Sequence, residues 1–302
     1  MDSPLATERR PQARQLVALL VIGVATAQAL GLTMKMPTQL EANDISRWCT
    51  VWALVERGTY AIDECPWQAK TQDKVLKPDK LEPPGPGASA LRRLEYALAP
   101  ASWKEGEPTE RFYSSKPPLL PTLIAGLLYP FRQATGVKLD KVVPQERNER
   151  WVQKPVEGQP GKTVFVKEKP KEPVQWPVYV FYYKPVILLL NVIPMLAYLI
   201  LYARLLDRYA PDDWAWFVSL FAAAWATPLY VFDQTLNNHT VAAYSAFFAI
   251  YPLVRIWGEG SRSPWHFAAA GFFGAFCACN ELPAALFGLL LFGLLLYRFP
   301  SP

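Results

Sequence analysis

The 302-residue sequence lacks the motifs of nucleotide-dependent enzymes and of serine hydrolases. It contains no Gly-x-Gly-x-x-Gly segment and no serine nucleophile elbow. Gly161-Lys162-Thr163 lacks the glycine five positions upstream that a phosphate-binding loop requires. The sequence therefore gives no support for a soluble enzyme that uses a nucleotide or a nucleotide sugar.

Histidine and cysteine are scarce, with two and four residues. His239 and His266 have no well-spaced acidic or thiol partners, so a zinc site is not expected. Four cysteines are too few for a disulfide scaffold. Cys49 and Cys65 share one long loop and can pair if that loop is extracytoplasmic, which the sequence leaves open.

Charge of one sign is not concentrated anywhere. The net charge is +5, from 31 Lys and Arg residues against 26 Asp and Glu residues. The basic residues are scattered among nearly as many acids, with no basic arm and no aromatic–basic platform. A nucleic-acid partner is therefore not expected.

Long apolar runs with almost no charge are what the sequence has in abundance. A helix needs about 17–25 such residues to cross a bilayer core. We therefore expect an all-α, polytopic membrane protein in contact with membrane lipid, with about seven crossings or half-crossings. The apolar runs cover residues 16–33, 116–131, 178–203, 214–232, 240–257, 266–279 and 282–297.

The N-terminus is predicted to lie in the cytoplasm, because Arg9, Arg10 and Arg14 precede the first run. The start of that run also fits a cleaved signal peptide, but its length favours an uncleaved anchor. The chain is then one transmembrane module, 1–302. Its polar parts are a large extracytoplasmic loop with interfacial helices at 35–116 and an insert at 132–176.

The side on which loop 233–239 lies is left open. Simple alternation of the apolar runs puts it in the cytoplasm. Its flanking charges, Arg204 and Arg208 before it and Arg255 and Arg262 after it, put it outside. We favour the charges, and one early segment is then re-entrant.

The 35–116 loop contains one strongly amphipathic segment. Apolar residues, including Trp48 and Trp52, recur there at helical spacing, and Gly58 can end the helix. Asn43 can cap its start. The two Trp residues on one face predict a helix at 45–57 that lies along the membrane interface. A short helix is also expected at 88–98, and a hairpin around 163–167.

Asp44 and Arg47 are three residues apart and hence neighbours on this helix. A carboxylate held beside the membrane near a cation can act as a general base on a hydroxyl. The alternative is structural: Asp44 favours the helix start through the macrodipole, and Arg47 is its solvated partner. Taken alone, the structural interpretation is preferred.

Lys116 stands at the mouth of the second apolar run, shortly after Tyr113 and directly before two prolines. A lysine in this position can extend to the interface as an anchor, or it can bind the phosphate of a lipid carrier at headgroup depth. The single residue does not decide between these roles.

Two further features suit a membrane-facing site. Asn238 and His239 can hydrogen-bond sugar hydroxyls, although Asn237 or Asn238 can equally cap the following helix. Glu281 lies in an apolar region, where an ionisable group is costly and marks a functional candidate. Its alternative is a residue at a helix end in the interface.

In order and spacing, these features resemble the GT-C superfamily, polytopic glycosyltransferases that use polyprenyl-phosphate sugars. The resemblance rests on Asp44 after the first run, a helix ending in Gly-Thr-Tyr, and Lys116 in a Lys-Pro-Pro-Leu segment. It covers residues 16–128 apart from the insert 64–110. The nearest likeness is to bacterial aminoarabinose transferases and protein mannosyltransferase-like enzymes.

The resemblance implies transfer of a sugar from a polyprenyl-phosphate donor to an unknown acceptor, at the outer face of a bacterial inner membrane. It matches Asp44 to the family's catalytic acid and Lys116 to its phosphate-contacting lysine. The other expected substrate contacts are Arg47, Tyr113, Asn238, His239 and Glu281.

No cofactor is certain. A divalent metal can assist at Asp44, although the sequence shows no clear second ligand. Because GT-C proteins usually have more membrane helices, we expect either a fragment or a chain with only the shared N-terminal module. The alternative function is a non-catalytic membrane module that binds a lipid-linked sugar or a partner protein.

Overall fold

The computed structural model describes residues 4–39, 41–78, 82–98, 110–145, 150–155, 162–168 and 174–298. Parts of the two predicted polar segments, among them 99–109 and 156–161, lie outside these residues. The described chain is mostly helical. Its helices are α1 (Pro4–Lys35), α2 (Ala42–Arg57), α3 (Ala90–Leu98), α4 (Leu119–Thr135), α5 (Tyr179–Ile187), α6 (Ile193–Tyr209), α7 (Asp213–Trp225), α8 (Pro228–Phe232), α9 (Asn238–Glu259), α10 (Pro264–Asn280) and α11 (Ala284–Arg298).

Short strands make the fold less purely helical than the sequence suggests. Each described sheet is an antiparallel pair of strands. The pairs are β1 (Lys74–Pro78) with β2 (Glu110–Ser114), β3 (Val142–Gln145) with β6 (Val174–Pro177), and β4 (Arg150–Pro155) with β5 (Thr163–Glu168). The last pair confirms the predicted hairpin, and α3 confirms the predicted short helix. All of the strands fall in the two polar segments between α2 and α5.

Four helical stretches in the described chain are long and apolar enough to cross a membrane. They are Gln12–Lys35, Tyr179–Tyr209, Asp213–Phe232 and Asn238–Glu259. A π-helical turn at Leu188–Val192 joins α5 to α6 within the second of these. Of the seven predicted crossings, four are therefore found at this length in the described chain. The other three correspond to α4 and α10, with 17 residues each, and α11, with 15, which lie at or below the short end of the range that crosses a bilayer core.

The helix α4 lies against α2. Near its start, the Thr122 hydroxyl hydrogen-bonds the Tyr60 hydroxyl at 2.9 Å. Near its end, Arg132 forms an ion pair with Glu56 at 2.9 Å. Both ends of α4 therefore contact the short chain segment in which α2 terminates. The helix begins at Leu119, three residues later than predicted, because the prolines after Lys116 precede it.

Ion pairs between helix termini define one end of the bundle, here called the Arg14 end. Arg14 in α1 pairs with Asp213 at the start of α7, at 2.6 Å. Arg208 near the end of α6 pairs with Glu259 at the end of α9. The part of α1 around Arg14 therefore lies at the same end of the bundle as the last turns of α6 and α9.

The opposite end, here called the Asn238 end, is defined by hydrogen bonds. The Lys184 ammonium donates to the Thr33 carbonyl near the end of α1, at 3.1 Å. The Asn238 amide donates to the Asn280 carbonyl at the end of α10, at 3.1 Å. Arg47 of α2 also binds Asn238, so loops 35–116 and 233–239 share this end, as the flanking charges predict.

The helix α2 is buried on most of its surface. Trp48 is fully buried and stacks on Tyr183, with ring centroids 3.4 Å apart. Its indole N–H donates to the Thr38 carbonyl at 3.0 Å. Trp52 is 3% exposed. A helix at the predicted position is confirmed, with both indoles facing protein, whereas its location along the membrane interface stays a prediction.

The helix α2 starts earlier than predicted. Its N-cap residue is Glu41, without a side-chain cap, whereas Asn43 lies within the first turn. The Asn43 carbonyl instead accepts a hydrogen bond from Arg47. The C-terminus is as predicted: Gly58 adopts φ 67° and its N–H donates to the Leu54 carbonyl, a conformation that glycine adopts without strain.

Replacing Trp48 tests how strongly the stacked core holds α2. Trp48→Ala should destabilise the folded protein by about 3–5 kcal/mol, because a fully buried aromatic ring leaves a cavity. Thermal unfolding in detergent measures this effect. The matched control is Trp151→Ala, since Trp151 is 64% exposed and should change stability by less than about 0.5 kcal/mol. Equal effects at the two sites would contradict the packing described.

Candidate functional site

Arg47 is the centre of the polar cluster at the Asn238 end. Its side chain is 3% exposed. The Nε–H donates to Asn238 Oδ1 at 2.6 Å, and Nη1 donates to the carbonyls of Leu236 and Asn43, each at 3.1 Å. The guanidinium thus ties the first turns of α2 to the loop that precedes α9.

Arg47 is also surrounded by carboxylates. Burial lowers the pKa of Arg47 from its ordinary value, while Asp44, Glu281 and Asp73, in that order, raise it. A buried cation without compensating charge would be strongly unfavourable, so these three side chains are what allow Arg47 to be buried. The preferred sequence interpretation, a solvated Arg47, is therefore wrong.

Asp44 shares this environment. It lies in the first turn of α2, where a negative charge is favoured by the helix dipole, and it is 3% exposed. It is also the carboxylate with the largest electrostatic effect on Arg47. The macrodipole role and the proximity to Arg47 both hold, but in a buried setting.

The segment before α9 divides its tasks between two neighbouring asparagines. Asn237 is the N-cap residue, and its Oδ1 accepts from the Thr240 N–H at 2.7 Å. Asn238 instead uses its oxygen for Arg47 and its amide for the Asn280 carbonyl. The capping interpretation is thus right for Asn237, and Asn238 is a positioning residue for Arg47.

Glu281 is at the break between α10 and α11, directly after the last residue of α10. Its carboxylate lies 2.8 Å from His239 Nδ1. The exposed fractions of the two side chains are 25% for Glu281 and 71% for His239. Glu281 is therefore a helix-end residue, as the alternative held, and it also belongs to the cluster around Arg47.

Lys116 reaches the same cluster through Asp73. Its ammonium lies 3.2 Å from the Asp73 carboxylate, and the two side chains are 25% and 29% exposed. The Asp73 carbonyl accepts a hydrogen bond from the hydroxyl of Ser46, a residue between Asp44 and Arg47. Asp73 was not predicted. The sequence offers one weak sign of a turn there, a threonine two residues before Asp73. In the structure, the hydroxyl of this Thr71 accepts a hydrogen bond from the Asp73 N–H at 3.1 Å.

The β1–β2 hairpin brings Lys116 to this position. Ser114 in β2 pairs with Lys74 in β1, and its hydroxyl hydrogen-bonds that of Ser46 at 2.7 Å. The Lys116 N–H donates to the Ser114 hydroxyl at 3.2 Å. Tyr113 is half-buried and comes directly before Ser114 in β2, so strand alternation turns the two side chains towards opposite faces of the strand pair.

Six of the sequence-predicted residues therefore lie in one region: Asp44, Arg47, Lys116, Asn238, His239 and Glu281. Asp44, Arg47 and Asn238 form a buried layer. Two partly exposed contacts surround it, the ion pair of Lys116 with Asp73 and the contact of His239 with Glu281. This arrangement places a carboxylate, a guanidinium and an ammonium within one region, which suits the handling of a proton and a phosphate.

A metal centre has little support. In the described part of the chain, no three His, Cys, Asp or Glu side chains cluster closely enough to hold a metal ion. A cleft of about 480 Å³ is lined by Thr135, Gly136, Val137, Lys138, Asp140 and Lys141. It lies near the C-terminal end of α2, away from Asp44.

Comparison with protein-family models, curated proteins and solved structures finds no match.

Asp233 anchors the loop beneath Asn238. It is fully buried, and the Tyr244 hydroxyl donates to both of its carboxylate oxygens, at 2.8 and 3.0 Å. The Asn191 amide donates to its carbonyl at 2.9 Å. Burial raises the pKa of Asp233 to about 7, although the hydrogen bond from Tyr244 lowers it.

This shift predicts a pH-dependent stability. Since the folded pKa of Asp233 lies above its ordinary value, the folded state binds the proton more tightly than the unfolded state. Stability from this group is full below about pH 4 and is lost as the pH rises through about 7. Asp233→Asn stays neutral, so its Tm should rise relative to the unmodified chain between pH 5 and pH 8. Parallel Tm–pH curves for the two proteins would contradict the raised pKa.

Proposed function

We propose that the protein transfers a sugar from a polyprenyl-phosphate donor to an acceptor hydroxyl at the outer face of a bacterial inner membrane. The proposal deepens the GT-C resemblance. Its main support is the convergence of Asp44 and Lys116, 72 positions apart in the sequence, on the cluster around Arg47. No nucleotide motif is needed, because the donor is already activated and lipid-linked.

In the proposed reaction, Asp44 accepts the proton of the acceptor hydroxyl. At the same time, the oxygen of that hydroxyl attacks the anomeric carbon of the sugar. The bond between that carbon and the phosphate oxygen breaks. The departing polyprenyl phosphate keeps the electron pair, and Lys116 stabilises the charge that grows on its oxygen. Arg47 lies near Asp44, and the opposite charges of the two side chains attract each other.

Lys116 must change partners for this role. Its ammonium is paired with Asp73 in the structure, and both side chains are partly exposed, so the pair is weak and a phosphate can displace the carboxylate. His239 is exposed enough to contact sugar hydroxyls, with Glu281 orienting its ring. Asn238 has both polar atoms engaged and acts through Arg47.

The non-catalytic alternative has an observation in its favour. The cations of the cluster already have protein partners: Arg47 binds Asn238 and backbone carbonyls, and Lys116 binds Asp73. A module that only binds a lipid-linked sugar or a partner protein needs no more than this. Transfer assays separate the two functions.

The contacts also support a six-crossing topology. With α4 lying against α2, the described residues between 36 and 178 stay at the Asn238 end. The four long helices, with α10 and α11 as two shorter crossings, then alternate without conflict. The Asn238 end is the outer one, since Arg14 and Arg208 lie at the other and positive residues favour the cytoplasm.

Asp44→Asn tests the proposed base. It preserves shape and much hydrogen bonding but removes the proton acceptor, so transfer should fall by ~10²–10⁴-fold while donor binding persists. The assay uses reconstituted protein, a labelled polyprenyl-phosphate sugar and a membrane extract as acceptor. Glu64→Gln is the matched control, because Glu64 is an exposed acid of the same loop.

Lys116→Ala should weaken donor retention as well as rate, because phosphate is contacted before and during the reaction. Lys70→Ala, at an exposed lysine of the same loop, should change neither. Undiminished transfer by Asp44→Asn would remove Asp44 from the mechanism. Donor retention without any transfer by the unmodified chain would favour the binding module.

Cysteines introduced one at a time test the topology. Gln72→Cys and Lys162→Cys lie in the loops before and after α4, and Arg262→Cys lies between α9 and α10; all three positions are exposed. Each is made in a Cys279→Ser background, because Cys279 is exposed. A membrane-impermeant maleimide should label Gln72→Cys and Lys162→Cys on intact cells, and Arg262→Cys only after permeabilisation. Labelling of Gln72→Cys and Lys162→Cys from opposite faces would show that α4 crosses.

A further inference from the structure

Two cysteines meet within the core beside the cluster. Cys49, in the middle of α2, is fully buried, and Cys65, in the turn after α2, is 5% exposed. The Cys65 thiol donates to Cys49 Sγ with the two sulfur atoms 2.8 Å apart. This separation is within about 1 Å of a disulfide bond length, so small side-chain movements suffice to form the bond.

The chain on either side of this pair carries the site. Asp44 and Arg47 lie five and two residues before Cys49 in α2, within about one and a half turns. After Cys65 the chain turns back to the start of α2, where the Thr71 hydroxyl donates to the Ala42 carbonyl at 2.7 Å. It then continues to Asp73, the partner of Lys116. A covalent link here would close residues 49–65 into a loop and would tether the start of the segment that leads to Asp73 to the middle of α2.

We infer that Cys49 and Cys65 form a structural disulfide that fixes the Asp73 segment against the site-bearing helix. This inference rests on the topology proposed above, in which the Asn238 end faces an oxidising compartment, and not on sugar transfer. The sequence leaves open whether Cys49 and Cys65 pair. The short distance between their sulfur atoms favours the disulfide over two free thiols.

The reaction requires an external oxidant. The two thiols lose two protons and two electrons, and a disulfide-bearing oxidase of the extracytoplasmic compartment takes up both and becomes a dithiol. The hydrogen bond between the thiols, followed by burial, raises the pKa of Cys49. Since the thiolate is the reactive form, the bond forms while the chain folds, before the core closes over the pair.

Counting free thiols tests the inference directly. The full chain, purified from membranes in acid and denatured, is treated with a maleimide-linked polymer before and after reduction. The chain has four cysteines, so we expect two adducts before reduction and four after it. Reduction should also lower the Tm by about 5–10 °C, as expected for a loop of this length.

Two serine variants identify the pair. Cys49→Ser should give three adducts both before and after reduction, because its partner is left free. Cys277→Ser, the control, should give one adduct before reduction and three after it. Three adducts before reduction in Cys277→Ser would show that Cys277 was bonded, and would overturn the assignment.

The labelling of Gln72→Cys separates two kinds of failure. Four adducts before reduction, together with labelling of Gln72→Cys on intact cells, would overturn the disulfide and leave the topology standing. Four adducts with Gln72→Cys protected would overturn both. A loss of sugar transfer in either case would bear on the proposed function alone.

Discussion

The buried guanidinium of Arg47 is the interaction on which the polar end of the molecule depends. A cation excluded from water requires opposite charge and hydrogen-bond acceptors. Arg47 obtains charge from Asp44, Asp73 and Glu281 and accepting atoms from the loop before α9. Segments far apart in the sequence are therefore joined at one point.

This requirement explains why α2 is embedded in the protein although it is too short and too polar to be a membrane span. One face carries Trp48 against Tyr183, and the opposite face carries Arg47 and Ser46 against other loops. A helix with both faces occupied is fixed in rotation and position. Asp44, in its first turn, is then held in one orientation.

The partly exposed ion pairs have a different character from the buried layer. Lys116 with Asp73 and His239 with Glu281 remain in contact with solvent, so their exchange for a ligand costs little. The buried layer cannot rearrange in this way without leaving a charge unpaired. A rigid interior with an exchangeable rim suits the anionic, hydroxyl-rich ligand that we propose.

Local signals in the sequence were sufficient for most elements. The long apolar runs marked the membrane-spanning helices, Gly58 marked the end of α2, and alternation around 163–167 marked a hairpin. The same signals do not fix the number of crossings, since apolar composition does not distinguish a helix that crosses the bilayer from one that lies on another helix, as we propose for α4. That distinction depends on the contacts of Thr122 and Arg132 with the end of α2.

The sequence by itself determined which residue types flank the membrane and that Asp44 and Arg47 are neighbours, because both follow from hydropathy and helical spacing. Only the tertiary structure decided that Arg47 is buried, that Asp73 joins Lys116 to the cluster and that Cys49 meets Cys65. Each of these is a long-range contact made by a loop, and its residues have no shared periodicity. Such contacts are set by how the helices pack, which local sequence patterns do not encode.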